Sequence, residues 1–199
     1  MRRIFIASNN QGKIREIKSI LADFYDEFLT PRDLDAAFDV VEDGKSFEEN
    51  AAKKALAGCI QFGMDALADD SGLCVDALNG APGVYSARYA GDGATDEENN
   101  QKLLLALQDV PDEQRTARFV STIALAKTGG VTLVTRGEAP GVILRAPRGT
   151  DGFGYDPLFF DPRFDKTYAE MTAEQKNAIS HRSLALQRMR EELKKDERH

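Results

Sequence analysis

Two adjacent carboxylates, Asp69 and Asp70, close a short apolar run from Ala66 to Ala68 and are followed by Ser71-Gly72. Acids at a strand end beside a Ser-Gly turn can hold a hard cation and orient a water. Aspartate also favours turns for reasons unrelated to chemistry, so the pair alone leaves a solvated turn open as an alternative. The apolar run reads as a strand, and Ser71-Gly72 reads as the turn that ends it. Leu73, Val75 and Ala77 then alternate with Cys74 and Asp76, the period of a second strand. Asn79-Gly80 gives the tight-turn signal that closes it.

Positive charge that could face those acids comes from two places. Ser8-Asn9-Asn10-Gln11-Gly12-Lys13 joins the apolar run Arg3 to Ala7 to a segment with Ile14, Ile17, Ile20 and Leu21 at helical spacing. Exposed amides at such a helix start favour anions, and Lys13 adds a full charge. The loop lacks the spacer and the Lys-Ser/Thr pair of a Walker sequence. A plain strand-to-helix connection capped by Asn or Ser is the other reading. The second source is Lys53 and Lys54, on a helix predicted from the capping box Ser46-Phe47-Glu48-Glu49 to about Phe62, where Gly63 stops it. Glu42 lies in the turn Glu42-Asp43-Gly44 ahead of that helix.

A second suggestive place is Gly149-Thr150-Asp151-Gly152-Phe153-Gly154-Tyr155-Asp156-Pro157. A base ring could stack on Phe153, and a carboxylate nearby could read its edge. Lys176, His181 and Arg182 follow at spacings that put several on one side of a helix capped by Thr172-Ala173-Glu174-Gln175. Lys, His and Arg together suit purine carbonyl oxygens or phosphate. A turn around a buried aromatic and a solvated helix face are the plainer alternatives.

The elements that must position these groups are ordinary. The chain has 199 residues, 42% apolar and 30% charged, which fits one domain in two lobes with no need of staples. Its net charge of −7 argues against a protein that grips nucleic-acid backbone, though not against a phosphorylated small substrate. Cys59 and Cys74 read as reduced core residues, and two histidines, His181 and His199, are too few for a multi-histidine zinc site. The run Ile4 to Ala7 is too short for a signal peptide or a membrane span, so the chain reads as cytoplasmic. A strand is expected at Phe38 to Val41 and a helix from Thr95 to Gln108 with Leu103, Leu104 and Leu107 buried. A hairpin is expected over 118–127 and 131–136, a separate strand at Val142 to Leu144, and a fraying helical tail from Arg188 to His199.

Taken in order, several stretches together resemble the XTP/dITP diphosphatase (inosine triphosphate pyrophosphatase) family over nearly the whole chain. They are Ser8 to Lys13 with Glu16; Ser46 to Ala51 with Lys54; Ala68 to Leu73; Gly80 to Arg88; Gly152 to Pro157; and Ser180-His181-Arg182. The resemblance implies an α/β fold, an elongated mixed β-sheet with flanking helices and two lobes around a central substrate cleft. It implies a homodimer, with no nucleic-acid or membrane partner. It also implies Mg²⁺-dependent hydrolysis of ITP, dITP or XTP to the monophosphate and pyrophosphate. Carried onto this sequence, Asp70 and Lys13 are catalytic, and Glu42 and Asp70 hold the metal. Ser8, Asn9, Asn10, Gln11, Gly12, Lys13, Lys54 and Ser71 contact substrate. So do Phe153, Gly154, Tyr155, Asp156, Lys176, His181 and Arg182, around the base. Asp69 is a supporting acid. A septum-formation-inhibitor-type pyrophosphatase, a non-catalytic nucleotide sensor and a nucleotide kinase are the competing readings, the last disfavoured by the missing Walker spacing.

Overall fold

The computed structural model describes residues 1–196, so His199 lies outside the described residues. The fold is α/β: a mixed seven-stranded sheet in the order β2-β1-β3-β4-β5-β6-β7, with flanking helices. The strands are β1 (Arg3–Ile6), β2 (Glu27–Leu29), β3 (Asp65–Val75), β4 (Thr116–Lys127), β5 (Gly130–Ile143), β6 (Phe159–Asp161) and β7 (Lys166–Thr167). The helices are α1 (Gln11–Leu21), α2 (Phe47–Phe62), α3 (Asp96–Ala106), α4 (Ala173–Ile179) and α5 (His181–Asp196). Strands β2, β1 and β3 run parallel, whereas β5, β6 and β7 pair antiparallel.

The chain divides into two compact units. One comprises Met1–Asp70, Ser121–Gly137 and the segment from His181; the other comprises Ser71–Val120 and Glu138–Ser180. In the first unit, Ile4, Phe5 and Ile6 are fully buried, as an unbroken apolar strand covered on both faces must be. Ile14, Ile17 and Leu21 of α1, with Leu186 and Met189 of α5, cluster with Ile4, Ile6 and Leu67. Ala51, Ala55 and Cys59 of α2 cluster instead with Phe5, Ala66 and Ala68. A methyl group at Gly58 would stand 2.7 Å from the Phe5 ring, so α2 can approach β1 this closely only with glycine there. The second unit has its own core, in which the rings of Phe119, Phe159 and Tyr168 meet among Leu73, Val75, Leu103 and Leu107.

Several expectations hold. Helix α2 ends at Gly63, whose left-handed φ of 62° lets its N–H return to the Cys59 carbonyl. Thr95 and Glu98 form the full capping box of α3, with Leu103 and Leu107 fully buried; Leu104 is only partly buried, and the helix ends at Ala106, short of the expected Gln108. Strands β4 and β5 are neighbours joined through Thr128-Gly129, and both cysteines are buried thiols.

Others are corrected. Ser71-Gly72 is not a turn: β3 runs unbroken from Asp65 to Val75, because the carboxylates of Asp69 and Asp70 find cations inside the protein and need no turn to reach water. Val142 and Ile143 extend β5 and are no separate strand. Phe38 to Val41 is irregular, and a three-residue, half-buried edge strand, β2, precedes it unforeseen. The Ser46 box is half formed: Ser46 caps the Glu49 N–H, but the Glu49 carboxylate accepts from Lys45. The last helical region breaks at Ser180, whose backbone is extended (φ −69°, ψ 152°). Lys176 therefore sits on α4 in the second unit, on a different helix from His181 and Arg182, which open α5 in the first. Helix α5 continues as regular helix through Asp196, so the part of the 188–199 tail that is described does not fray.

Candidate active site

The loop after β1 is first of all a capped connection. The Asn10 side-chain oxygen accepts the Lys13 N–H at 3.0 Å, and the Ser8 hydroxyl accepts the Asn10 N–H at 3.1 Å. Asn9 is exposed, and Gln11 and Gly12 form the first turn of α1. The Lys13 side chain reaches Asp69, with Nζ 2.6 Å from the carboxylate. Burial lowers the Lys13 pKa, and Asp69 pushes back against that loss of charge.

Asp69 is the hub of a buried ionic network. Its carboxylate takes Lys13, the Ser121 hydroxyl at 2.6 Å, and the Arg182 guanidinium at 3.4 Å. Burial alone would raise its pKa, but Lys13 and Arg182 hold it far below the carboxylate range, so Asp69 is ionised at any working pH. Arg182 also binds Glu16 at 2.9 Å, and its side chain is only 1% exposed. Burial opposes its charge, yet Asp69 and Glu16 keep its pKa raised. The expected base reader is thus a buried counter-ion to two carboxylates. His181 precedes it with 5% exposure. Helix α5 can start here because Gly137 of β5 has no side chain: a methyl there would fall 2.1 Å from the His181 carbonyl oxygen.

Asp70, the next residue, lives differently. Burial pushes its pKa up to about 6, Glu42 and Asp69 add repulsion, and Lys54 opposes the rise. One oxygen lies 3.8 Å from Lys54 Nζ; the other is buried with no hydrogen-bond partner. Lys54 also donates to Glu42 at 3.0 Å and to the Asp69 carbonyl at 2.9 Å.

Glu42 belongs to no regular element, yet it is well placed. Successive residues are tied down onto α2: Glu42 to Lys54, Asp43 to Lys53, the Gly44 N–H to Asn50, and the Lys45 N–H to Glu49. A methyl at Gly44 would meet the Asn50 oxygen at 2.5 Å, so glycine is required for that approach. Lys53 and Lys54 are therefore not alike, the former being a half-exposed surface partner and the latter buried.

In the second unit, Lys176 Nζ binds the Asp156 carboxylate at 2.6 Å and lies 4.7 Å from the Phe153 ring centroid and 5.7 Å from that of Tyr168. Asp156 also accepts the Phe153 N–H at 3.0 Å. A methyl at Gly152 would overlap the Asp156 carboxylate, and φ there is +82°, so the loop closes over Asp156 only with glycine. Tyr155 differs from expectation: it is 4% exposed, its hydroxyl donates to the Ser86 carbonyl, and burial raises its pKa. It is a core anchor of the loop. Ser71 is half-buried within β3.

Sequence reading gave no role to Ser121, Glu16 or Tyr168. The available signal for Ser121 was a polar Ser-Thr pair inside the apolar run Phe119 to Ala126. Among the described residues no group of three or more His, Cys, Asp or Glu side chains could hold a metal ion. Two carboxylates, those of Glu42 and Asp70, converge on the one Lys54 ammonium. No helix among the described residues is long and apolar enough to cross a membrane.

The chain matches the profile of the Ham1 family over residues 4–192. It is 53% identical over 193 residues to the dITP/XTP pyrophosphatase of Geobacter sulfurreducens, covering 97% of each chain. It is 47% identical over 196 residues to the dITP/XTP pyrophosphatase of Escherichia coli K12, covering 98% of this chain and 99% of that one. Among solved structures it resembles a HAM1 protein from Coxiella burnetii (TM-score 0.89, 43% identity) and the Ham1 protein of Staphylococcus aureus (TM-score 0.88, 44% identity). Each comparison covers 98% of this chain and all of the other.

Proposed function

This chain belongs to the Ham1 family, and on that premise we propose that it hydrolyses non-standard purine nucleoside triphosphates, ITP, dITP and XTP, to the monophosphate and pyrophosphate. The observation that carries the reading is Asp70, a buried carboxylate whose pKa of about 6 suits a general base near neutrality, beside Lys54 and next to the Lys13–Asp69 pair.

Asp70 takes a proton from the attacking water. The water oxygen bonds to the α-phosphorus, the bond from that phosphorus to the α–β bridging oxygen breaks, and pyrophosphate leaves with the bonding pair. Lys13 and Lys54 hold the phosphate oxygens, supported by Ser8, Asn9, Asn10, Gln11, Gly12 and Ser71. Asp69 stays ionised throughout and keeps Lys13 charged and aimed. Glu42 and Asp70 fit a hard divalent cation, since both are carboxylates, they repel one another, and one buried Asp70 oxygen makes no well-formed hydrogen bond, with only the Asn50 amide beside the carboxylate. Bound there, Mg²⁺ would withdraw charge from the phosphates.

In the second unit Phe153 stacks on the base, flanked by Gly154, while Lys176, oriented by Asp156, donates to a 6-oxo group. Adenine presents a 6-amino donor at that point and leaves Lys176 unanswered. A buried unpaired donor costs about 1–3 kcal/mol, enough for roughly tenfold rejection or more. The family resemblance supports a homodimer working on the cytoplasmic nucleotide pool.

The test is purified protein with Mg²⁺ and ITP, XTP, GTP, ATP and UTP, products resolved by chromatography. Inosine monophosphate and pyrophosphate, with ITP and XTP far ahead of the rest, are expected. Release of the diphosphate, or ITP bound but persisting, would overturn the proposal.

A further inference from the structure

We infer that Asp96 and Asn100 of α3 are positioning residues that set the nucleobase platform by gripping both backbone polar groups of Gly154. The inference rests on the reading of Phe153 as the surface on which the base stacks. The Gly154 N–H donates to the Asp96 carboxylate at 2.7 Å, and the Asn100 side-chain amide donates to the Gly154 carbonyl at 2.9 Å. Four residues apart on one helix, the two side chains share a face, so one helical edge meets both sides of a single residue. Gly154 has φ of +61°, a conformation L side chains seldom adopt, and a methyl there would meet nothing within 4 Å. Backbone direction, not space, is what glycine supplies. Asn100 Oδ1 is buried and has no hydrogen-bond partner, so Gly154 is what holds that amide.

The grip continues on either side. The Phe153 N–H is taken by Asp156, and the Tyr155 hydroxyl is tied to the Ser86 carbonyl. Phe153 thus lies between two fixed points, and its ring plane is inherited from α3. That helix has a firm end to inherit from, since the reciprocal Thr95–Glu98 box satisfies its first amides. Stacking and the Lys176 contact both depend on that plane, so base preference is set partly by two side chains that need not touch the base.

The experiment measures kcat and KM for ITP and ATP in Asp96→Ala, Asn100→Ala, Asp96→Asn and Asn100→Asp, with Phe153→Ala alongside. Asp96→Ala and Asn100→Ala are expected to raise the KM for ITP about tenfold and narrow the ITP-over-ATP preference, with kcat for ITP held within about threefold. Asp96→Asn keeps an oxygen acceptor and should recover most of the loss; Asn100→Asp has no donor for the Gly154 carbonyl and should not. The conservative pair keeps the test valid should either alanine variant fail to fold. If Phe153→Ala raises the KM while none of the α3 variants does, or if the α3 variants lose ITP and ATP turnover in equal proportion, the positioning role is wrong. If Phe153→Ala itself leaves KM and preference unchanged, the stacking reading fails, and the inference goes with it.

Discussion

Each unit of the molecule contains a lysine held 2.6 Å from a buried aspartate, and the two pairs sit in opposite surroundings. Lys13–Asp69 is embedded in further charge: Arg182, Glu16, Lys54 and the Ser121 hydroxyl. Lys176–Asp156 is embedded in rings, with Phe153 and Tyr168 beside the ammonium. The same ion pair therefore stands in two different settings. Among charges it presents a field suited to a polyanion, and among aromatics it presents one donor beside a flat face suited to a heterocycle. Within the first unit a sharper contrast separates neighbours in sequence: Asp69 is held ionised by cations, whereas Asp70 is left protonatable by burial and repulsion.

The hardest way to break this contrast is Asp70→Asn. Turnover of ITP should fall by about 10³-fold, the middle of the range for losing a general base. Stability should move the other way. The folded-state pKa of Asp70 is raised from 3.8 to about 6, so between those values the folded protein keeps a proton that the unfolded chain has released. Stability therefore declines as pH rises through that window and stays lowered above it. Magnesium-free Asp70→Asn should melt higher than the parent near neutral pH, with a smaller decline across the window; an equal or lower melting temperature would refute the assignment. Asp69→Ala should do the reverse, costing about 3–5 kcal/mol of stability because Lys13 and Arg182 lose a buried counter-ion. Urea titration measures it, and a loss below about 1 kcal/mol would show the network to be incidental. In the second unit, Lys176→Gln keeps a donor for Asp156 but adds an oxygen that can accept from adenine. The kcat/KM preference for ITP over ATP should drop about tenfold. The smallest effect belongs to Lys53→Ala, where a surface pair with Asp43 is lost: within about 0.5 kcal/mol in stability and unchanged KM, against a clear KM rise for Lys54→Ala.

Much of this was legible in the sequence, for identifiable reasons. The buried strand β1, the Gly63 stop of α2 and the Thr95 box of α3 are local signals, and they came through. The continuity of β3 was hidden because what overrides the turn preference of Asp-Asp-Ser-Gly is a set of cations from distant positions, Lys13, Lys54 and Arg182. The break at Ser180 was hidden for the converse reason, since nothing in Ile179-Ser180-His181 resembles a helix stop. The roles of Lys54 and Lys53 could not be separated by spacing alone; what separates them is how the irregular segment from Glu42 to Lys45 lies down on α2.

The polypeptide passes from one unit to the other four times, after Asp70, Val120, Gly137 and Ser180. A gene fragment ending at any of those points encodes part of a core without its complement: residues 1–70 carry Ile4, Ile6 and Ile17 but lack Ile123, Leu186 and Met189. Neither half can be excised as a working module, and grafting one onto a relative would mean transplanting two or three separate stretches together. Engineering of base preference in this scaffold is thereby confined to point changes on an intact chain.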